Sequence, residues 1–280
     1  MSKYSKNTPK PHQVAARLGV KGLDGLFEKM DGTSKQRIIA ASFGEVGTLK
    51  TSFWLTAPGP ILVQSLDRGT EGVLDVYLKK LKEDGIEKSI YLSEYEANTH
   101  LLAAEDDAQA AAEAVAAQIE TDFKNAIENG IKTIVVDKET QMYEIFKYAV
   151  LGAPTGAPSN YYPLFQRYRA LINMAKDSDI NLGLIQGMKT PWVSEMKATG
   201  KIGAKPSTKD RVRRGMPEID ELMHLNLEHV IDEDGDFMIR VGKVRGPGAR
   251  DLQNTVIGYR EFPEFATLVF PDTEESDWIS

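Results

Sequence analysis

The sequence predicts an α/β protein built on a doubly wound, mainly parallel sheet. Two observations carry this: four short runs that are apolar almost throughout, and amphipathic stretches of helical period between them. The runs are RIIAASF (Arg37 to Phe43), PILVQSL (Pro60 to Leu66), IKTIVVD (Ile131 to Asp137) and INLGLIQ (Ile180 to Gln186). A strand covered on one face alternates apolar and polar residues, whereas a strand covered on both faces reads as a continuous apolar run. Parallel neighbours also need crossover connections, and helices between the runs supply them.

The intervening helices follow from their periodicity. GVLDVYLKKLKEDG places Val73, Val76, Tyr77 and Leu81 on one face, and the Ala-rich stretch from Leu101 to Gly130 repeats Val115, Ile119, Phe123 and Ile127 at intervals of four. YYPLFQRYRALINMAKDSD aligns Leu164, Phe165, Tyr168, Leu171, Ile172 and Ala175. Further on, LNLEHVI, DEDGD and FMIRVGKV (residues 225–244) predict a C-terminal β-hairpin with an Asp-Gly turn that continues the sheet. The chain divides into a polar extension over residues 1–35 with one short amphipathic helix, GLDGLFEKM, a core over 36–270, and an acidic, loose tail over 271–280. Within the core, residues 189–216 are rich in Lys, Gly, Ser and Pro and predict a flexible basic loop.

Composition narrows the function classes. With 280 residues the chain can bury a substantial core, and 41% hydrophobic and 27% charged residues fit an ordinary globular protein. The absence of cysteine excludes disulfides, thiol catalysis and thiolate metal sites, and points to a reducing cytoplasm. The basic N-terminus leads into no apolar export segment, and no apolar run has a membrane-spanning length, so an unexported protein with no membrane partner is expected.

The first run ends in FGEVGTLKTSFW, Phe43 to Trp54. A phosphate-binding loop needs a strand end, a glycine-rich turn whose amides point inward, a lysine for the terminal phosphates, and a hydroxyl for Mg²⁺. Gly44, Lys50 and Thr51 meet the pattern G-x-x-x-x-G-K-[ST], with Leu49 in place of its last glycine. Gly47 restores conformational freedom two residues earlier. The candidate loop is therefore Gly44, Glu45, Val46, Gly47, Thr48, Leu49, Lys50, Thr51 and Ser52. Nucleotide hydrolysis also needs a carboxylate ending a neighbouring apolar strand, and Asp137 fits as the Mg²⁺ partner of Thr51.

The order FGEVGTLKTS, PILVQSLDRGTEGV, IKTIVVDKET, LGLIQGMK resembles the RecA-type P-loop ATPase core. Within it, the chain is similar to the short-core phage and bacterial ATP-binding proteins related to phage RecA-like single-strand annealing proteins. The resemblance covers roughly residues 37 to 260. It implies ATP and Mg²⁺ as cofactors, self-association into a ring or filament, and a host-cytoplasmic location if the chain is phage-encoded. It implies Glu71 as the residue that orients the attacking water, with Asp67 competing because the spacing departs from the usual Asp-x-Glu. Gln186 would be the polar sensor at the end of the fourth core strand. Lys243 and Arg245, in RVGKVRGPG, would cross a subunit interface to the neighbour's ATP.

One segment opposes the acidic balance of the chain. Lys189, Lys197, Lys201, Lys205, Lys209, Arg211, Arg213 and Arg214 face only Glu195 and Asp210, so residues 189–214 carry +6 within a chain of −7. With Trp192 beside them, they have the cations and the stacking side chain that single-stranded nucleic acid uses. The resemblance places a DNA-binding loop at the same point. The expected function is thus an oligomeric, Mg²⁺-dependent ATPase acting on single-stranded DNA in recombination or annealing. The alternatives are a nucleotide-binding assembly or regulatory module with little turnover, or a small-molecule P-loop kinase.

Overall fold

The structure is a computed structural model that describes residues 36–66, 69–83, 85–95, 107–153, 155–196, 202–207 and 211–279, without the side chains at 71, 192–196 and 202–206. The described residues from Arg37 onward belong to one compact unit. The short helix expected within residues 1–35 lies outside the described residues.

An eight-stranded sheet organises this unit. Its strands are β1 (Ile39–Gly44), β2 (Ile61–Ser65), β3 (Ile90–Glu94), β4 (Thr133–Asp137), β5 (Asn181–Gln186), β10 (Leu225–Ile231), β11 (Phe237–Val244) and β12 (Thr255–Gly258). The spatial order is β12-β11-β10-β1-β5-β4-β2-β3. The six strands from β10 to β3 are parallel, and β11 and β12 run antiparallel at one edge. The helices are α1 (Lys50–Leu55), α2 (Glu71–Glu83), α3 (Ala108–Glu128), α4 (Glu139–Leu151), α5 (Tyr161–Asp177), α6 (Ile219–Leu222), α7 (Ala249–Leu252) and α8 (Phe262–Val269).

The continuous apolar runs have the cause the sequence suggested. Ile39, Ala41, Ile134, Val136, Leu182 and Leu184 pack into a core with α3, α4 and α5, while Ile38, Ala40, Val135 and Ile185 pack into a second core with α1 and α8. Successive residues alternate between the faces, and both faces are covered. Gly183 in β5 shows how closely α1 approaches: a Cβ there would lie 2.4 Å from the Trp54 ring. Trp54 lies flat over that gap and donates its indole N–H to Ser42 Oγ at 2.8 Å.

Several expectations are corrected. Helix α2 buries Leu74 and Leu81 and packs Tyr77 partly buried against the core, whereas Val76 is 72% exposed and Val73 stands half-exposed at the rim of a cleft, so the valines do not belong to the buried face. Between residues 189 and 216, much of what is described is strand and not uncommitted loop. Met188–Lys189 (β6) pairs with Val212–Arg213 (β9), and Trp192–Met196 (β7) pairs with Ile202–Pro206 (β8), both antiparallel. The acidic tail is not loose: Glu274 and Asp277 cap the turn Glu275–Trp278 reciprocally, and Trp278 is 3% exposed. Its ring stacks on Phe270 at 5.4 Å and meets Phe262 at 6.1 Å. One apolar ring thus outweighs the charge of the tail.

Candidate functional site

The loop from Gly44 to Leu49 joins β1 to α1 at the C-terminal end of the parallel strands. Ligands of open α/β sheets bind at that end, where the loops diverge. Gly44 has φ 149° and Gly47 φ 82°, and a Cβ on Gly44 would sit 2.2 Å from the carbonyl oxygen of His229 on β10. No residue but glycine fits that contact. Leu49 is the N-cap of α1 and has φ 61°, ψ 20°, so it occupies a left-handed conformation that glycine adopts freely and leucine adopts at a cost. The missing glycine of the motif is therefore a position whose backbone still has a glycine's geometry.

Lys50 folds back into the loop. Its ammonium donates to the carbonyls of Gly44 at 3.1 Å and Glu45 at 2.5 Å and to Thr48 Oγ1 at 3.1 Å. Burial pushes its pKa down, Asp137 and Glu45 act against that shift, and Lys138 acts with it. Thr48 Oγ1 in turn donates to Glu45 O at 2.9 Å, closing the turn on itself.

Thr51 and Asp137 meet across the sheet. The hydroxyl of Thr51, in the first turn of α1, donates to Asp137 Oδ2 at 2.9 Å. Strand β5 lies between β1 and β4, so the two residues converge from elements that are not neighbours. Thr70, just before α2, reaches the same oxygen at 3.3 Å and shares a 3.0 Å hydrogen bond with Ser65 Oγ. Thr51 and Asp137 together offer hard oxygen ligands of the kind Mg²⁺ takes, beside a lysine and the amides of a helix start. A cleft of about 370 Å³ opens here, lined by the loop, Asp137, Gln186 and Val73.

Gln186 reaches the cleft floor with its amide committed elsewhere. It donates at 2.6 Å to Glu139 Oε2, while its own Oε1 is buried without a hydrogen-bond partner. Glu139 is fully buried and also accepts from Tyr168 OH at 2.6 Å and Met216 N at 3.3 Å. Burial pushes its carboxyl up, and these donors with the Arg213 charge pull against the shift. Sequence reasoning passed over Glu139, because its partners lie far along the chain. Glu71 opens α2 near the cleft, but its side chain is outside the described residues, as is Asp67.

A second cleft of about 370 Å³ adjoins the first through Ser52 and Val73 and is lined by Tyr77, Lys80, Tyr259 and Glu261. Burial, with Glu261 beside it, pushes the Tyr77 phenol up to about 12, and Tyr259 is raised for the same reasons. Lys80 pairs with Glu261 at 3.7 Å. Tyr259 was also missed, since a lone tyrosine after a short edge strand carries no local signal.

The remaining candidates are spread out. Lys243 and Arg245 lie at the end of β11, which runs antiparallel to β10, and Arg245 N donates to His224 O at 2.8 Å. They therefore stand at the end of the sheet opposite the loop. There Lys243 Nζ bonds the carbonyl of Asp220, and Arg37, Lys176 and His224 share the surroundings. Burial and these four cations push His224 down to about 4. In the basic segment, Arg213 pairs with Asp220 at 2.5 Å and lies over the Phe43 ring at 5.2 Å. Arg211 pairs at 3.1 Å with Glu45 of the loop. Lys189 is exposed, Arg214 hydrogen-bonds Gly187 and Thr140 through its backbone, Trp192 and Lys205 are on β7 and β8, and Lys197, Lys201 and Lys209 lie outside the described residues.

No protein-family model matches the chain, and no curated protein matches it. Among the described residues, no helix is long and apolar enough to cross a membrane, and no group of three or more His, Asp or Glu is placed to hold a metal ion.

Proposed function

We propose that the chain is a RecA-like P-loop protein that binds ATP with Mg²⁺ and hydrolyses it, working as an oligomer on single-stranded DNA in recombination or annealing. The observation that carries this reading is the convergence of Thr51 and Asp137 at 2.9 Å beside Lys50 and the glycine turn. This reading is supported by the hydroxyl, the lysine and the strand-end carboxylate of the motif standing together at one end of the sheet, within reach of one ligand.

Bound Mg²⁺ would neutralise phosphate charge, held by Thr51 and Asp137. Lys50 would exchange its loop carbonyls for the β- and γ-phosphate oxygens, while the amides at the start of α1 take the same phosphates. The nucleoside would lie in the adjoining cleft, with the base against Tyr77 and Tyr259, since Ser52 leads there from the phosphate end. Glu71 or Asp67 would orient water. Gln186 would report on the terminal phosphate through the second N–H of its amide, the first being held by Glu139. Lys243 and Arg245 are across the sheet from their own loop, so they would reach only a second copy's nucleotide. The Arg211–Glu45 pair ties the basic segment to the phosphate loop, which gives DNA contact and nucleotide a shared element.

A module that binds nucleotide with little turnover is the second reading, and it rests on Leu49. Its side chain stands where the backbone must approach phosphate closely. Both readings are tested by ATP binding and phosphate release with and without single-stranded DNA, alongside sizing with a non-hydrolysable ATP analogue. DNA-stimulated turnover abolished by Lys50→Ala supports the first, and tight binding without release supports the second. Absence of ATP binding overturns both.

A further inference from the structure

His229, the fifth residue of β10, is 1% exposed, and neither of its ring nitrogens has a hydrogen-bond partner. A neutral imidazole carries one donor and one acceptor, and burying both unpaired is unfavourable. For packing alone a leucine would serve better at this position. The polarity of the ring therefore needs a reason of its own.

Its location supplies one. Leu225, Leu227 and His229 alternate onto the face of the sheet covered by α1. The ring meets Phe53 of α1 edge-on at 5.5 Å, three residues beyond Lys50. Gly44 is its register partner on β1, and the glycine's α-carbon packs on the His229 carbonyl with no side chain between. Burial, with the Lys50 ammonium adding to it, pushes the imidazole down to about 3, so it is neutral at physiological pH. In this structure Lys50 occupies the carbonyls of Gly44 and Glu45. Those acceptors lose their donor when Lys50 turns to a phosphate.

We propose that His229 is a positioning residue of the phosphate loop, whose imidazole N–H hydrogen-bonds the loop backbone at Gly44 once Lys50 leaves it for a bound phosphate. The inference rests on the reading of Gly44 to Ser52 as a nucleotide site. It makes the unpaired ring a group held ready for the occupied loop, at the expense of the stability of the empty one.

The test compares wild type, His229→Leu and His229→Gln by thermal melting without nucleotide and by titration with ATP and Mg²⁺. His229→Leu is expected to melt at the wild-type temperature or a few degrees above it, and to bind ATP about 10-fold more weakly or worse, as loss of one hydrogen bond to a buried polar group implies. His229→Gln, which keeps a donor, is expected to recover most of that affinity. Unchanged ATP affinity in His229→Leu overturns the proposal while leaving the nucleotide site intact, whereas failure of wild type to bind ATP overturns the site itself. A measurement on the unaltered ring guards against a variant that does not fold. The chain has 4 histidines, so the His229 imidazole nitrogen signals can be assigned, and ATP is expected to shift them. No shift at saturating ATP overturns the proposal.

Discussion

Leu49→Gly separates backbone geometry from side-chain chemistry in the proposed phosphate loop. At φ 61°, ψ 20° a residue with a Cβ has about 1–2 kcal/mol of strain that glycine lacks. Glycine gives back about 0.4–1 kcal/mol through its freer unfolded chain. Compared with Leu49→Ala, which keeps the strain and equally loses the leucine contacts, Leu49→Gly should be more stable by about 0.8 kcal/mol at the middle of those ranges and by about 1.6 kcal/mol at most. For a chain of this size the mid-range value is a difference of about 2–3 °C in melting temperature, and it should also appear as a shifted urea midpoint at constant slope. The same pair of variants should be assayed for ATP binding and phosphate release. If the leucine crowds the phosphates, both variants bind ATP more tightly than wild type; if its effect is through the backbone, only Leu49→Gly changes. Equal stability of the alanine and glycine variants would refute the left-handed assignment and with it the argument that the motif's lost glycine survives as a conformation.

Two further outcomes follow from burial. Trp278→Ala should destabilise the fold by about 3–5 kcal/mol, as truncation of a buried tryptophan does, which chemical denaturation will read; a change within error would return the tail to a loose segment. Acid sensitivity should depend on His229, whose folded pKa near 3 lies below the unfolded 6.5. The unfolded chain then binds the extra proton between those values, so this contribution to stability is complete above pH 6.5 and is lost as pH falls toward 3. Between pH 6.5 and 5 the loss is about 2 kcal/mol. His229→Leu should therefore lose less stability than wild type over that interval, and parallel pH profiles would count against a buried neutral imidazole.

The four core strands were legible because each is buried on both faces, and double burial writes itself into a short stretch as unbroken apolarity. β3 was not, since it is an edge strand with Tyr91 and Leu92 exposed and no such pattern. Nor was α4, where Glu139, Thr140 and Lys147 are buried along with the apolar residues, so that the helix shows no solvent stripe. The valines of α2 misled because the helix has more than one apolar stripe, and only the tertiary fold selects Leu74, which joins the core shared with α1 and β2, and Leu81 for burial.

By itself the sequence determined the parallel-sheet class and the local candidates: the glycine turn, Lys50, Thr51 and a carboxylate at a strand end. These are encoded in runs of under a dozen residues, where spacing and residue type suffice. Only the tertiary structure decided which of them meet. It joined Thr51 to Asp137 across an intervening strand, moved Lys243 and Arg245 to the far end of the sheet, fixed Arg213 on Asp220 and Phe43, and buried His229 against the loop. It also gave Leu49 a glycine's backbone. Strand order, strand direction and burial arise from contacts between residues far apart in the chain, and no local pattern records them.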